Sequence, residues 1–406
     1  MNQKKPTLLV IANTNIGTSL SGGDQIFLNI VKYWQPYFDV TVLGSSESHR
    51  LLAQKHLHQI NFIMTDSASP YSTTNLWQLF RHYLRRLSKG LIAIIRHSEL
   101  RHFDYVYTAS DFWPDFGLGY LLKLLRPQIC WLAGYYLFAP WPLDPQSPYF
   151  KNHQILKGLV YYLCQIPSHF IASYFTDYIF VTSEPDVDKF RKHQQNKHIS
   201  VIRGGVYVPN FSTYRQSLDF IPISKRPYAA CFLGRLHPQK GVLELIDIWA
   251  IVRHRLPSAK LIIVGDGELL PSIKAKIGAL GLDQHIFLAG FQTGIPKYRI
   301  FRQSKIVVHP SVFDSGGMAA AEAMAWGLPG VSFDLPALTS YYPQGMLKTP
   351  LGDFKQFAAN IVSLLTNPRL YRRTSHNALD LIKKHWRWQP RLVRLSRQIR
   401  YRLPIT

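Results

Sequence analysis

The sequence predicts an α/β fold built as two doubly wound domains in tandem. Three observations predict it. A chain of 406 residues, 47% of them apolar, exceeds what one hydrophobic core organises. Short apolar runs alternate with helix-length amphipathic segments, and the alternation starts afresh after a proline-bearing stretch in mid-chain. In the first series Thr7–Ala12 reads as a buried strand, the loop 13–23 follows, and Ile26, Phe27, Ile30, Val31 and Trp34 mark one face of a helix. Apolar runs at 40–43, 105–108, 129–133, 178–182 and 200–202 continue the series, as expected of strands buried on both faces. Residues 206–226 hold Pro209 and Pro222, precede Pro227 and show no period, so they read as a linker. The second series opens with a strand at 228–233 and a helix through Val242, Leu245, Ile246, Trp249 and Val252. It runs on through 260–264, 286–288, 305–309 and 330–333. The expected division is a first domain over 1–205, a linker over 206–226, a second domain over 227–385 and a basic helix over 386–406.

Composition bounds the partners. A net charge of +23 calls for an acidic counterpart: nucleic acid, an anionic membrane face or phosphorylated small molecules. Arg81, Arg85, Arg86, Lys89 and Arg96 interleave with Leu84, Leu87, Leu91, Ile94 and Ile95, the pattern of a basic amphipathic helix that docks on an anionic membrane or packs on its own domain. A second cluster, Arg387, Arg391, Arg394, Arg397, Arg400 and Arg402, lies near the C-terminus. Apolar runs are too short or too interrupted for a membrane span, and Leu8–Ala12 is too short for a signal-peptide core. Cys130, Cys164 and Cys231 are odd in number and set among apolar residues, so they read as small core residues of a reducing compartment. The expectation is a cytoplasmic protein, peripheral at the inner face of the cell membrane.

Ligands of open sheets sit outside the carboxyl ends of strands. After the strand at 305–309 comes SVFDSGGMAAAEAMAWGLPG, residues 311–330. Asp314 falls in the strand-to-helix loop, Gly316 and Gly317 open the helix, and Glu322 sits among alanines. Glycine lets a ligand approach the backbone, and helix-start amides attract phosphate or sugar oxygens, the dipole adding about 0.3–1 kcal/mol. A carboxylate such as Glu322 can accept two hydroxyls of a vicinal diol, each bond worth roughly 1.5–3 kcal/mol; an exposed carboxylate on a good helix former is the plain alternative. FLGRLHPQKG, residues 232–241, sets Gly234 and Arg235 at a strand end and Lys240 at the next helix start. Two cations at the ends of one loop can straddle a diphosphate.

With these motifs, LIIVGDGE, and more loosely SLSGGDQ and YTASDFWPD, the sequence resembles the family 4 glycosyltransferases. The resemblance is specific in the second domain and weak in the first. It implies the GT-B fold, two Rossmann-like α/β domains facing a central cleft, with the C-terminal helix packing back on the first domain. It further implies an enzyme that moves a hexose or related sugar from a nucleotide-diphosphate sugar (UDP- or GDP-sugar) to a glycan or lipid-linked acceptor, with retention. The family's two glutamates eight residues apart correspond to Asp314 and Glu322. By resemblance Glu322 takes the ribose hydroxyls and Asp314 a hydroxyl of the transferred sugar, assisted by the amides near Gly317 and Met318. Arg235 and Lys240 match the pyrophosphate clamp, Gly22 and Gly23 the N-terminal glycine loop, and Ala289, Gly290 and Phe291 the segment meeting the base. No cofactor and no metal are implied; the sugar nucleotide is a substrate.

Two departures stand out. Aspartate at 314 shortens the reach by one methylene. Where many members carry a histidine near the acceptor this chain has Gly134, Tyr135 and Tyr136, so Asp111 and Asp115 are the acceptor-side candidates, with turn and helix capping as their competing role. Asp186 and Asp188 form a D-x-D, but Ser183-Glu184-Pro185 before them reads as a helix start with Asp186 in its capping box. Gly265-Asp266-Gly267 lacks the rest of a dinucleotide fingerprint. Other readings remain open: a GT-B sugar-nucleotide epimerase or phosphorylase-like enzyme, and a non-catalytic basic protein binding a membrane or nucleic acid. Nucleic acid is not the expected partner of the transferase.

Overall fold

The computed structural model describes residues 5–15, 21–67, 76–145, 147–151, 153–191, 198–217 and 219–402. They form two compact units. The first takes in the described residues of 1–144, 154–204 and 388–406, the second those of 145–153 and 205–387.

The first unit holds seven strands: β1 (Thr7–Ala12), β2 (Asp39–Gly44), β3 (Asn61–Met64), β4 (Tyr105–Thr108), β5 (Cys130–Gly134), β6 (Tyr178–Val181) and β7 (His198–Val201). They run parallel in the order β3-β2-β1-β4-β5-β6-β7. The crossovers are α1 (Gly22–Trp34), α2 (Ser46–Gln54), α3 (Leu76–Arg96), α4 (Trp113–Leu125), α6 (Ile155–Phe175) and α7 (Glu184–Arg191); the one-turn α5 (Pro148–Lys151) lies in the second unit. Strand β1 is central and its residues Leu8–Ala12 are fully buried, which accounts for an unbroken apolar run. The sequence reading missed β3, an edge strand whose residues are exposed or half-buried, so no apolar run announces it.

The second unit holds β8 (Tyr228–Leu233), β9 (Leu261–Val264), β10 (Ile286–Leu288), β11 (Ser304–His309), β12 (Gly330–Phe333) and β13 (Met346–Thr349). These run parallel in the order β10-β9-β8-β11-β12-β13. Its helices are α8 (Phe211–Gln216), α9 (Val242–Arg255), α10 (Leu270–Ala279), α11 (Gly294–Gln303), α12 (Met318–Met324), α13 (Pro336–Tyr341), α14 (Phe354–Thr366) and α15 (Pro368–His385). The stretch read as a linker is instead part of this unit. It carries α8, and Tyr214 is buried against Phe211, Phe220 and Trp326. Aromatic residues spaced three to nine apart supply a packing face there that the prolines obscured. Helix α16 (Trp388–Arg402) packs on α1 in the first unit: the Trp34 indole donates to the Leu392 carbonyl at 2.9 Å, and Arg391 donates to the Arg203 and Gly204 carbonyls.

Each sheet reverses its winding once, between β1 and β4 and between β8 and β11, and such points are where open sheets bind ligands. In the first unit Asp115 pins the point. Fully buried, it accepts from the Asn13 and Thr14 amides at 2.5 and 2.9 Å and from Ser110 Oγ at 2.7 Å. Burial raises its carboxyl to about 7, against those hydrogen bonds. Nearby α3 meets the expectation of a basic outward face only in part: Arg81, Lys89 and Arg96 are exposed, but Arg86 is 1% exposed and donates to Glu47 on α2 at 2.6 Å, while Arg85 donates to Asp66 at 3.0 Å. Cysteines also depart from expectation, since only Cys231 is buried and Cys164 is exposed on α6. That helix turns an apolar side outward, so apolar neighbours in sequence did not imply a core position.

Two stability predictions follow from these buried groups. Arg86→Met strands the Glu47 carboxylate and is expected to cost about 3–5 kcal/mol in thermal or urea unfolding, with Glu47→Leu in the same chain restoring much of it. Asp115 has its pKa raised on folding, so its stabilising protonated form is complete below the unfolded value near 4 and lost as pH rises through about 7. Asp115→Asn is therefore expected to be more stable relative to the wild type at pH 8 than at pH 5; unfolding curves that keep a constant separation would contradict the assignment.

Candidate active site

The second unit's reversal point is built from the loops after β8 and β11. Leaving β8, the chain runs through Gly234 and the exposed Arg235 to a single 3-10 turn, Pro238–Lys240. It then passes Gly241 at φ +62°, where an added Cβ would lie 1.9 Å from the Pro310 carbonyl oxygen. Only glycine permits that approach. It brings the Gln239 carbonyl to accept from the Val312 and Phe313 amides at 3.0 and 3.3 Å, so the two loops share hydrogen bonds.

Across this seam Lys240 Nζ donates to Asp314 Oδ2 at 2.6 Å. His309, the last residue of β11, places Nε2 at 3.0 Å from the same oxygen and 3.1 Å from Ser311 Oγ. Asp314 Oδ1 accepts from the amides of Ser315, Gly316 and Gly317 at 2.9, 3.2 and 3.1 Å. Both oxygens are thus engaged, and the side chain is 7% exposed. Burial alone would raise the carboxyl; Lys240 and His309 outweigh it and hold the group well below the ordinary carboxylate range. Burial lowers the His309 pKa against the pull of Asp314, which leaves a neutral imidazole at neutral pH.

Gly317 caps α12 at φ +60°, with His309 Nε2 only 2.6 Å from where a Cβ would stand. The helix starts at Met318, one residue beyond the expected glycine pair, and has only seven residues. Tyr342 locks its first turn: its hydroxyl donates to the Gly317 carbonyl at 2.6 Å and accepts from the Ala321 amide at 3.1 Å, while its ring stacks on Trp386 at 5.4 Å. The alanines around Glu322 are buried, which explains a small-residue helix. Glu322 is half-buried and its Oε2 accepts from Lys297 on α11 at 2.6 Å.

The remaining candidates fall in separate places. Gly290, at φ +65° with open space around it, and the exposed Phe291 follow β10. Gly22 and Gly23 open α1 behind Ser21, which forms a capping box with Asp24; part of their loop, 16–20, lies outside the described residues. Asp111 is buried, accepts from Gln165 Nε2 at 2.7 Å and is raised by burial to about 6. With Asp115, it holds backbone and loops together rather than presenting an open carboxylate. Tyr135 and Tyr136 are buried too, the latter bonded to the Tyr107 hydroxyl. Asp186 accepts from Ser183 Oγ at 2.6 Å, a helix-start role. Among the described residues no group of three or more His, Cys, Asp or Glu side chains is arranged to hold a metal ion. Sequence reasoning missed His309, Lys297, Tyr342 and Tyr149. The last is carried beside the Pro238–Lys240 turn by α5 and feels the Arg235 charge. None sits in a motif of its own, and only His309, five residues before Asp314, had a signal in its spacing.

Residues 215–380 match the family described as glycosyl transferases group 1. Over 169 residues the chain is 27% identical to an alpha-D-kanosaminyltransferase of Streptomyces kanamyceticus, covering 41% of this chain and 42% of that one. It is 30% identical over 138 residues to UDP-Gal:alpha-D-GlcNAc-diphosphoundecaprenol alpha-1,3-galactosyltransferase of Escherichia coli, covering 32% and 35%. The matches span less than half the length of these relatives. A crystal structure of Anabaena HepE in complex with UDP and glucose aligns over 98% of this chain and 99% of its own, with a TM-score of 0.67 at 18% identity, a likeness of fold. Both units are Rossmann-like, the architecture is GT-B, and the similarity to the glycosyl transferases group 1 lies in residues 215–380.

Proposed function

We propose that the protein is a retaining glycosyltransferase moving a sugar from a UDP- or GDP-sugar to a glycan or lipid-linked acceptor in the synthesis of a cell-surface polysaccharide or glycolipid. The observation that carries the reading is the interlocked pair of loops at the β8/β11 reversal point, with Arg235 and Lys240 on the first and Glu322 on the helix that follows the second. Arg235 and Lys240 hold the diphosphate by a planar fork and a point charge. Glu322, of which only Oε2 is engaged by another described side chain, accepts the ribose hydroxyls. Gly290 and Phe291 meet the base; Gly234, Gly316, Gly317 and Met318 offer close backbone approach. By the resemblance, Gly22 and Gly23 are assigned to phosphate binding and Asp111 and Asp115 to the acceptor.

Asp314 takes a different part from the one its motif implies. With both oxygens shared among three amides, Lys240 and His309, it positions Lys240, and a hydroxyl of the transferred sugar meets a carboxylate already in use. The reaction then proceeds by front-face substitution. As the bond from the anomeric carbon to the diphosphate breaks, charge builds on the leaving oxygens, where Lys240 and Arg235 stabilise it. The acceptor hydroxyl enters on the same face and gives its proton to the departing phosphate. Placement at the cytoplasmic face of an anionic membrane belongs to the same reading.

Thermal denaturation with nucleoside diphosphates tests it. UDP or GDP is expected to stabilise the wild type, and Glu322→Ala or Arg235→Ala to weaken binding by roughly 10- to 100-fold, as for loss of a charge-assisted bond. A wild type that no nucleoside diphosphate stabilises contradicts the reading, and tight salt-dependent binding to mixed-sequence DNA in its place favours the non-catalytic alternative. The Asp314 assignment is tested by a double-mutant cycle on donor hydrolysis. Asp314→Asn and Lys240→Met are each expected to lower kcat about tenfold or more, with the double variant little worse than either; full additivity would show that the two act apart.

A further inference from the structure

Helix α3 is turned inside out relative to an ordinary surface helix. It buries His82, Arg86, Gly90, Ala93 and Ile94 and exposes Trp77, Phe80, Leu84, Ile92 and Ile95, the first and last 66% and 68% exposed. At 100° per residue those five fall within an arc of about 120°. The exposed Arg81 lies within that arc, and Arg85, Lys89 and Arg96 lie along one flank of it. The other flank, with Tyr83 and Leu87, faces α4, where Leu87 lies 3.4 Å from a Cβ added at Gly117.

Helix α6 repeats the inversion. Leu156, Val160, Leu163, Ile166, Phe170 and Tyr174 are exposed and fall within a similar arc, along about 27 Å of helix. No charged residue enters that arc. The two helices belong to one layer, since α3 packs on α4 and α4 on α6. The rings of Tyr83, Phe112 and Tyr161 bridge them with 5.8 Å between successive centroids. Neither helix carries an acidic residue, and among the described residues no helix is long and apolar enough to cross a membrane.

We infer that the outward faces of α3 and α6 form one surface that inserts shallowly into an anionic lipid bilayer, α6 supplying an uncharged apolar stripe and α3 a second stripe edged with basic side chains. An exposed apolar area of this extent marks an interaction site. Charge selects the occupant. A second copy would set basic edges of two +23 chains against each other, whereas acyl chains beneath anionic headgroups match both the stripes and their Arg/Lys border. Trp77 and Tyr174 are residue types that favour the headgroup level. The inference deepens the membrane part of the proposed function and stands independently of the donor chemistry.

Flotation of the full chain with phosphatidylglycerol/phosphatidylcholine vesicles tests it. The wild type is expected to float with 30% phosphatidylglycerol and to lose at least tenfold in partitioning on phosphatidylcholine alone. Leu163→Ser with Phe170→Ser should reduce binding at least tenfold at every salt concentration. Lys89→Glu with Arg96→Glu should abolish only the salt-sensitive part. All four positions are exposed sites of the first unit and the donor loops belong to the second, so stabilisation by UDP or GDP serves as the check that each variant is folded. No flotation of the wild type, or flotation untouched by both double variants, overturns the inference. So does a dimer in light scattering that the Leu163/Phe170 variant dissociates, which would make a second copy the occupant. Loss of nucleotide stabilisation in the wild type with flotation intact would sink the transferase reading alone.

Discussion

The ion pair between Lys240 and Asp314 joins the two loops on which the candidate site depends. It is 2.6 Å long, and its carboxylate is almost wholly buried. A buried carboxylate is costly unless its lone pairs are met, and here Asp314 gathers three amides, a lysine and an imidazole. That convergence fixes the turn before α12, holds the lysine in place, and keeps β11's loop against β8's. Gly241 and Gly317 permit the close backbone contacts on either side. The short aspartate arm keeps the carboxylate within reach of its own turn and of His309, and makes it the keystone of the seam.

The first unit solves the same topological problem with different chemistry. Its reversal point is closed by a carboxyl, Asp115, whose pKa is raised by burial, its partners among the described residues being amides and hydroxyls. The cations nearby are used elsewhere: Arg86 is committed to Glu47 and Arg85 to Asp66. A basic chain thus keeps some of its positive charge inside, pairing α3 with α2, and turns apolar side chains outward. Together these explain how a segment with the composition of a basic amphipathic helix presents a largely apolar face.

Much of this was legible in the sequence where the signal is local. Central strands such as β1 and β8 are continuous apolar runs because both faces are covered, and the motifs at 232–241 and 311–330 announce their loops by glycine and charge. Edge strands β3 and β13, half exposed, gave no such run. Helix α8 was hidden because its packing comes from aromatics reaching a distant Trp326. Long-range partners were invisible for the same reason. Lys297 is 25 residues from Glu322, and Lys240 is 74 from Asp314; no periodicity encodes such pairs. Arg86 turns inward to meet Glu47, a residue on another helix, so charge pattern alone did not show which basic residue of α3 is buried.

The central claim is that the seam between the β8 and β11 loops receives a nucleoside diphosphate. Hydrogen–deuterium exchange with and without saturating UDP and GDP measures it most directly. One of the two nucleotides is expected to slow exchange in peptides covering 234–241 and 311–322, and Lys240→Met to weaken the protection in both together. Protection confined to other parts of the chain, or none with either nucleotide, would contradict it.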